Sequence, residues 1–278
     1  MNITDELIKK FADFLVDEEK SKNTIQKYLR DVRFLFRRFG GAEVTKAALI
    51  DYKERLCETY APASVNSVIS SLNCFFAFCG RLDLRIKTLK IQRRIFADKS
   101  RELSRAEYER LLTAAQCRRN ERMYYLMQTV ASTGLRVSEI KYVTCDALRT
   151  GEATINCKGK IRRVFLPAEL CRMLKGFAKR RGITRGSVFV TRSGKPLDRC
   201  AIWKMMKDLC DTAGVSKEKV FPHNFRHLFA RTFYSLQKDI VRLADILGHS
   251  SVETTRIYTM ESGSEHRKQL QKLGLLRI

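Results

Sequence analysis

Residues 61–80 contain no charged side chain, in a chain where 30% of residues are Asp, Glu, Lys or Arg. Within that stretch Val65, Val68, Ile69, Leu72, Phe75, Phe76 and Cys79 recur at the 3.6-residue spacing of one helix face. Pro62, two asparagines and four serines argue against a membrane span, so the stretch reads as a helix at the centre of a soluble core. Its neighbours are patterned to cover it. Residues 3–16 form an amphipathic helix. A second starts near Asn23-Thr24 and carries Ile25, Tyr28, Leu29, Val32, Leu35, Phe36 and Phe39 to a stop at Gly40-Gly41. Thr45 caps a third over 46–57, and the uncharged stretch is the fourth, 63–79. Residues 1–90 are therefore expected to be a helical bundle.

At 278 residues the chain has room for about two domains with separate cores. Residues 81–101 lose periodicity and are strongly basic, which places a linker at 91–101 and a second domain at 102–278. Ser104 followed by Glu107 is a capping box that opens a helix through residue 115. Helices are expected near 119–132 and 136–147, then a β-hairpin of 153–157 and 160–166 turning at Lys158-Gly159. A short strand is expected at 188–191, and helices at 198–213, 223–237, 239–247, 251–258 and 264–273. The fold class is mainly α (α+β): an N-terminal helical bundle and a mostly helical C-terminal domain with a small antiparallel sheet.

Lysine and arginine total 54 against 30 acids, a formal charge of +24. Residues 101–278 hold +18 of it, so the second domain should dominate attraction to a polyanion. A merely coating basic protein is the plain reading of such a balance, but 44% hydrophobic content and only 4 prolines call for packed domains, not a basic tail. The basic residues Lys22, Lys27, Arg30, Arg33, Arg37 and Arg38 suit either a solvated helix face or a phosphate-tracking one. Nine cysteines lie scattered without a CxxC pair, mostly among apolar neighbours, and imply buried free thiols in a reducing cytoplasm. The N-terminus carries acids early, unlike a signal peptide, so a cytoplasmic location is expected.

Six polar residues of the second domain stand apart. His223 and His227 have zinc-ligand spacing, but no glutamate lies between them and Arg226 would put a fixed charge beside the metal. Pro222 suits the first turn of a helix, so His223 and Arg226 project from an N-terminus whose free N–H groups favour a phosphate. His227 fits a supporting, hydrogen-bonded role. His249 follows Gly248, the expected C-cap of the preceding helix, on a corner that aims a side chain. Tyr258 follows nine residues later. Arg136 opens a helix with Glu139 on its face, and Lys158 occupies a hairpin tip from which a long cation can enter a groove.

The blocks TGLRVSEI (133–140), CKGK (157–160), PHNFRH (222–227) and LGHSSVETTRIYT (247–259) resemble, in order and spacing, the signatures of the tyrosine recombinase (phage integrase) family, of the Xer-like site-specific type. NTIQKYLRDVRFLF resembles the family's N-terminal SAM-like core-binding domain, so the likeness covers essentially the whole chain. The resemblance implies Arg136, Lys158, His223, Arg226, His249 and Tyr258 as the active site of a site-specific recombinase. Lys160 is the alternative to Lys158, because the family's usual Gly-Lys-Gly reads Cys157-Lys158-Gly159-Lys160 here. The implied chemistry is cleavage and rejoining of DNA through a 3′-phosphotyrosine, in integration, excision or resolution, with neither metal nor ATP as cofactor. The implied partner is double-stranded DNA held in a two-domain clamp, with a homo-tetramer in the synaptic complex and a monomer or dimer off DNA.

The tail, 259–278, carries Leu270, Leu273, Leu275, Leu276 and Ile278 and is expected to dock on a neighbouring protomer. Type IB topoisomerases use nearly the same side chains; the N-terminal helical domain and the apolar tail favour recombination instead. A basic DNA-binding protein without chemistry would need six reactive groups in family order by coincidence. No arm-binding module is expected ahead of the core domain, and a simple recombinase of a mobile element or chromosome is the expectation that follows.

Overall fold

The computed structural model describes residues 4–40, 42–91, 99–157, 160–249 and 251–258. The chain divides into two compact units, 1–93 and 94–278. In the first, four helices follow one another: α1 (Asp5–Asp17), α2 (Lys22–Phe39), α3 (Lys46–Thr59) and α4 (Pro62–Phe78). Thr4, Ser21 and Thr45 each cap the next helix by accepting a backbone N–H on their hydroxyl, while Pro62 opens α4 at a position that needs no N–H. The uncharged face of α4 is the middle of the bundle: Val65, Ile69, Leu72, Phe75 and Phe76 are buried against Phe11, Leu15, Val32, Leu35 and Leu49. Phe11 meets Phe75 edge-on at 5.1 Å.

Lys27 is not a free surface cation. Its ammonium donates to Asp31 at 2.8 Å, to the Ser67 carbonyl at 2.7 Å and to the Ser71 hydroxyl at 2.7 Å, tying α2 to α4. Asp31 is buried and accepts from Ser71 as well, so the group is satisfied as a unit. Lys22, Arg30, Arg33, Arg37 and Arg38 are exposed.

The second unit opens with α5 (Arg105–Cys117), where both arms of the Ser104–Glu107 capping box are made. Next come α6 (Glu121–Thr133), a 3₁₀ turn (Val137–Tyr142), α7 (Cys145–Thr150) and the hairpin of β1 (Glu152–Cys157) and β2 (Lys160–Phe165). The strands pair antiparallel from Glu152 opposite Phe165 to Cys157 opposite Lys160. The chain continues through α8 (Ala168–Arg180), α9 (Arg199–Lys207), α10 (Cys210–Ala213), α11 (Pro222–Gln237) and α12 (Ile240–Leu247), ending in two 3₁₀ turns, Val252–Thr254 and Arg256–Tyr258. The fold is mostly helical with one small antiparallel sheet.

Several local expectations are corrected. The helix expected at 136–147 is a 3₁₀ turn followed by a separate α-helix, because Thr144 starts a new cap at Ala147 N. The 198–213 helix breaks into α9 and α10. The strand at 188–191 makes only an isolated bridge, Val190 to Pro196; Val188 and Phe189 are apolar because they are buried in the core, not because they join a ladder. Residues 251–258 form two 3₁₀ turns instead of a helix. Helix α8, with Leu170, Leu174 and Phe177 buried, was not anticipated. Of the eight described cysteines only Cys171 and Cys210 are buried, while Cys57, Cys117 and Cys200 are exposed. Lys158-Gly159, most of the linker and the helix expected at 264–273 lie outside the described residues. Among the described residues no helix is long and apolar enough to cross a membrane.

Candidate active site

Gly134 and Gly248 set the frame. Each caps a helix, α6 and α12, in the left-handed conformation, at φ +65° and +63°. Neither has room for a side chain: a Cβ on Gly134 would come within 2.5 Å of the Phe229 ring, and one on Gly248 within 2.5 Å of Arg162. The loop after α6 can therefore press against α11, which carries His223, Arg226 and His227, and the corner after α12 against Arg162 of β2.

Arg226 lies between them, with only 1% of its surface exposed. It donates through NH1 to the Gly134 carbonyl at 2.6 Å, and through NH2 to the Leu247 carbonyl at 2.8 Å and to His249 Nε2 at 2.9 Å. Its Nε has no hydrogen-bond partner among the described residues. Burial, then the nearby Arg136 guanidinium, lowers its pKa to about 10, so it stays charged at neutral pH. A buried cation bonded to carbonyls and an imidazole is poorly compensated, and an anion would relieve it.

A guanidinium can only donate, so His249 Nε2 accepts and the ring proton sits on Nδ1, facing the Thr255 hydroxyl at 2.8 Å. Burial, then Arg226, Arg136 and Arg162, holds the His249 pKa down to about 4. The imidazole is thus neutral and in this arrangement fixes Arg226. Arg136 is the more open cation, its side chain 40% exposed. Its NH1 donates to Glu139 Oε1 at 3.0 Å, its backbone N–H donates to Glu139 Oε2 at 2.9 Å, and its NH2 approaches the Gly248 carbonyl at 3.4 Å. Burial works to raise the Glu139 pKa, but the Arg136 N–H and the Arg162 and Arg136 charges outweigh it and hold the carboxyl below its usual range.

His223 is exposed in the otherwise buried first turn of α11; atoms crowding its ring, then Arg226, Arg136 and Arg199, lower its pKa. The ring in contact with Tyr258 is that of His227, edge-on at 4.8 Å, and His227 also meets His223 edge-on at 4.5 Å. Burial, then His223 and Arg226, takes His227 down to about 4. Tyr258 is 4% exposed, seated on Ala230, Leu243 and Leu247 with the His249 ring at 6.1 Å. Its phenol is close enough to Arg226 to interact with the guanidinium. The structure thus gathers Arg136, His223, Arg226, His249 and Tyr258. Lys158 lies outside the described residues, and so does the side chain of Lys160.

Two further participants escaped the sequence reading. Thr255 holds the His249 tautomer, and Arg162 bonds Glu139 at 2.7 Å. Among the described residues no group of three or more His, Cys, Asp or Glu is placed to hold a metal ion. The His223 and His227 rings meet edge to face, their planes 71° apart.

The depressed histidines have a consequence for stability. Folded His227 and His249 take up their protons only near pH 4, whereas unfolded histidine does so near pH 6.5. Below the unfolded pKa the unfolded chain binds more protons, so their contribution is complete above about pH 6.5 and is lost as pH falls toward 4. Denaturant midpoints measured from pH 7.5 to 4 should fall across that window, and His249→Gln should flatten the slope. A midpoint independent of pH would contradict the neutral, buried rings.

The phage integrase family matches residues 101–265, and the phage integrase N-terminal SAM-like domain matches residues 8–81. The chain is 27% identical to tyrosine recombinase XerA of Pyrococcus furiosus, covering 98% of this chain and 95% of that protein. It is 31% identical to tyrosine recombinase XerD of Xanthomonas campestris pv. campestris, covering 97% and 90%. A crystal structure of a lambda integrase dimer bound to a COC′ core site shares the fold at a TM-score of 0.75 and 16% identity, covering 95% of this chain and 97% of that one.

Proposed function

The chain belongs to the phage integrase family of DNA strand-transferring tyrosine recombinases, and from that premise we propose that Tyr258 is the nucleophile of site-specific strand exchange on double-stranded DNA. The observation that carries this reading is the convergence of Tyr258, Arg136, His227 and His249 around the buried Arg226 guanidinium.

The scissile phosphate sits between Arg136 and Arg226. Tyr258 Oη attacks phosphorus, the bond from phosphorus to the 5′-oxygen breaks, and the 3′ end is left esterified to the phenol. A phenol ordinarily holds its proton until about pH 10, so attack needs an acceptor and nearby cations. His223, neutral near pH 7, takes that proton. Arg226 and Arg136 oppose the charge that builds on the non-bridging oxygens. Lys158 gives a proton to the departing 5′-oxygen. His249 keeps Arg226 aligned, and its ring meets the phosphate once the anion displaces part of that bond. Because the phosphotyrosine ester conserves the energy of the broken phosphodiester, a 5′-hydroxyl from a partner strand can reverse the step without a nucleotide. Tyr258 reaches the phosphate from its buried seat by movement of the two short 3₁₀ turns that carry it.

The assay is covalent capture on a nicked duplex, in which the short strand released by cleavage diffuses away. Alanine at Arg136, Lys158, His223 or His249 should slow capture. A sulfur in place of the 5′-oxygen leaves without protonation, and it should restore Lys158→Ala but not Arg136→Ala. Restoration of Lys160→Ala instead would move the acid two residues along, to the first residue of β2.

Recombination joins two duplexes, and a homo-tetramer linked by the apolar tail fits that requirement. Deleting 262–278 should weaken pairing of two duplexes more than binding of one, measured by native gel shift. Equal loss of both would argue against the tail as a linker.

A further inference from the structure

Arg162 belongs to strand β2, yet its side chain leaves the sheet for the cluster around Arg136. Its NH2 donates to Glu139 Oε2 at 2.7 Å, and its NH1 donates to the Ile246 carbonyl at 2.8 Å. Glu139 holds Arg136 through both the guanidinium and the backbone N–H. Ile246 lies in the last turn of α12, just before the Gly248–His249 corner, and Gly248 itself packs against the Arg162 Cδ and Nε. One guanidinium thus joins the hairpin, the 3₁₀ turn of Arg136 and the corner that aims His249. With 20% of the Arg162 side chain and 3% of that of Glu139 exposed, water does little to screen the pair. The geometry is that of a fork: two acceptors on separate segments are met by two nitrogens of one rigid plane, which a single ammonium cannot reproduce.

We propose that Arg162 is a positioning residue for strand cleavage, bridging Glu139 and the end of α12 so that the Arg136 guanidinium is presented to the scissile phosphate. The inference rests on the reading of Arg136 as a phosphate clamp. Without Arg162, Glu139 keeps its grip on Arg136 but loses the contact that fixes its own orientation. Arg136 then follows its carboxylate, and the Gly248–His249 corner gains space.

The test uses the full chain and measures single-turnover covalent capture on two nicked duplexes. One has an ordinary scissile phosphate. The other has a methylphosphonate, in which a methyl group replaces one non-bridging oxygen and removes the negative charge that the guanidiniums oppose. On the phosphate, Arg162→Ala should be roughly tenfold to a hundredfold slower than the natural chain, the size of loss that a misplacement of about 1 Å brings. Arg162→Lys should recover little of it. On the methylphosphonate the gap to the natural chain should close to within about threefold, since the interaction lost is one made with transition-state charge. Equal slowing on both substrates, or no slowing on the phosphate, would overturn the proposal. If the alanine variant does not fold, as judged by circular dichroism, the lysine variant carries the same comparison. Arg136→Ala is run alongside. If it is neither slowed on the phosphate nor restored on the methylphosphonate, the clamp reading itself fails; if it behaves as a clamp and Arg162→Ala does not, only the positioning role is lost.

Discussion

Tyr258→Phe is expected to abolish covalent capture of DNA while leaving duplex binding and folding nearly intact. The ring is a packing element: 4% exposed, edge-on to His227 at 4.8 Å and seated on Ala230, Leu243 and Leu247. Phenylalanine keeps all of that surface. Among the described residues the hydroxyl interacts with Arg226, so its removal should change stability by about 1 kcal/mol, the net worth of one hydrogen bond. Chemistry is another matter, because in the proposed mechanism the Tyr258 phenol is the group that becomes the phosphoester. Deleting a nucleophile typically lowers turnover by about four orders of magnitude or more. Capture on a nicked duplex, duplex affinity by gel shift and thermal melting, measured on one preparation, separate the three effects. A phenylalanine variant that still forms adduct would remove Tyr258 from the mechanism.

Arg226→Ala should be the most damaging of the cation substitutions, because Arg226 holds the fold together and, in the proposed mechanism, also the phosphate. The Gly134 and Leu247 carbonyls would lose their donor in a place closed to water, at about 1–3 kcal/mol for each buried polar group left unpaired. These are the carbonyls beside the loop that leads to Arg136 and the corner that carries His249, so the rest of the site loosens with them. Catalysis should fall by about 3–4 kcal/mol, a hundredfold or more, from loss of one fixed donor to the transition state. Arg226→Lys preserves the charge but cannot reach both carbonyls and His249 Nε2 at once, and should resemble alanine more than the natural chain. Denaturant unfolding and capture rates well below the melting temperature report the two losses separately. Full activity in the lysine variant would mean that charge alone matters there.

The parts of this molecule legible in its sequence are those fixed by local chemistry. The uncharged face of α4, the Ser104–Glu107 capping box and the left-handed glycine after α12 each depend on residues within one or two turns of one another. Motif spacing brought Arg136, His223, Arg226, His249 and Tyr258 to notice, and the fold does collect them. What stayed hidden depends on distant partners. Nothing near Arg162 announces that its side chain reaches Glu139, 23 residues away, and Ile246, 84 residues away. The four-residue spacing of His223 and His227 suggested a pair, but the contact of His227 with Tyr258 exists only because 252–258 folds back onto α11. The apolar run at Val188 and Phe189 read as a strand because burial alone does not say whether the neighbour is a ladder or a core. Lys27 looked like one of six surface cations until α4 supplied Ser67 and Ser71.

The proposed mechanism turns on which atom becomes joined to DNA. Digesting the adduct trapped on a nicked duplex and sequencing the modified peptide by mass spectrometry identifies that atom directly. The expected product is a single peptide bearing Tyr258, with the phosphate linked to the 3′ end of the DNA and a free 5′-hydroxyl on the released strand. Attachment to another residue, or to the 5′ end, would contradict it.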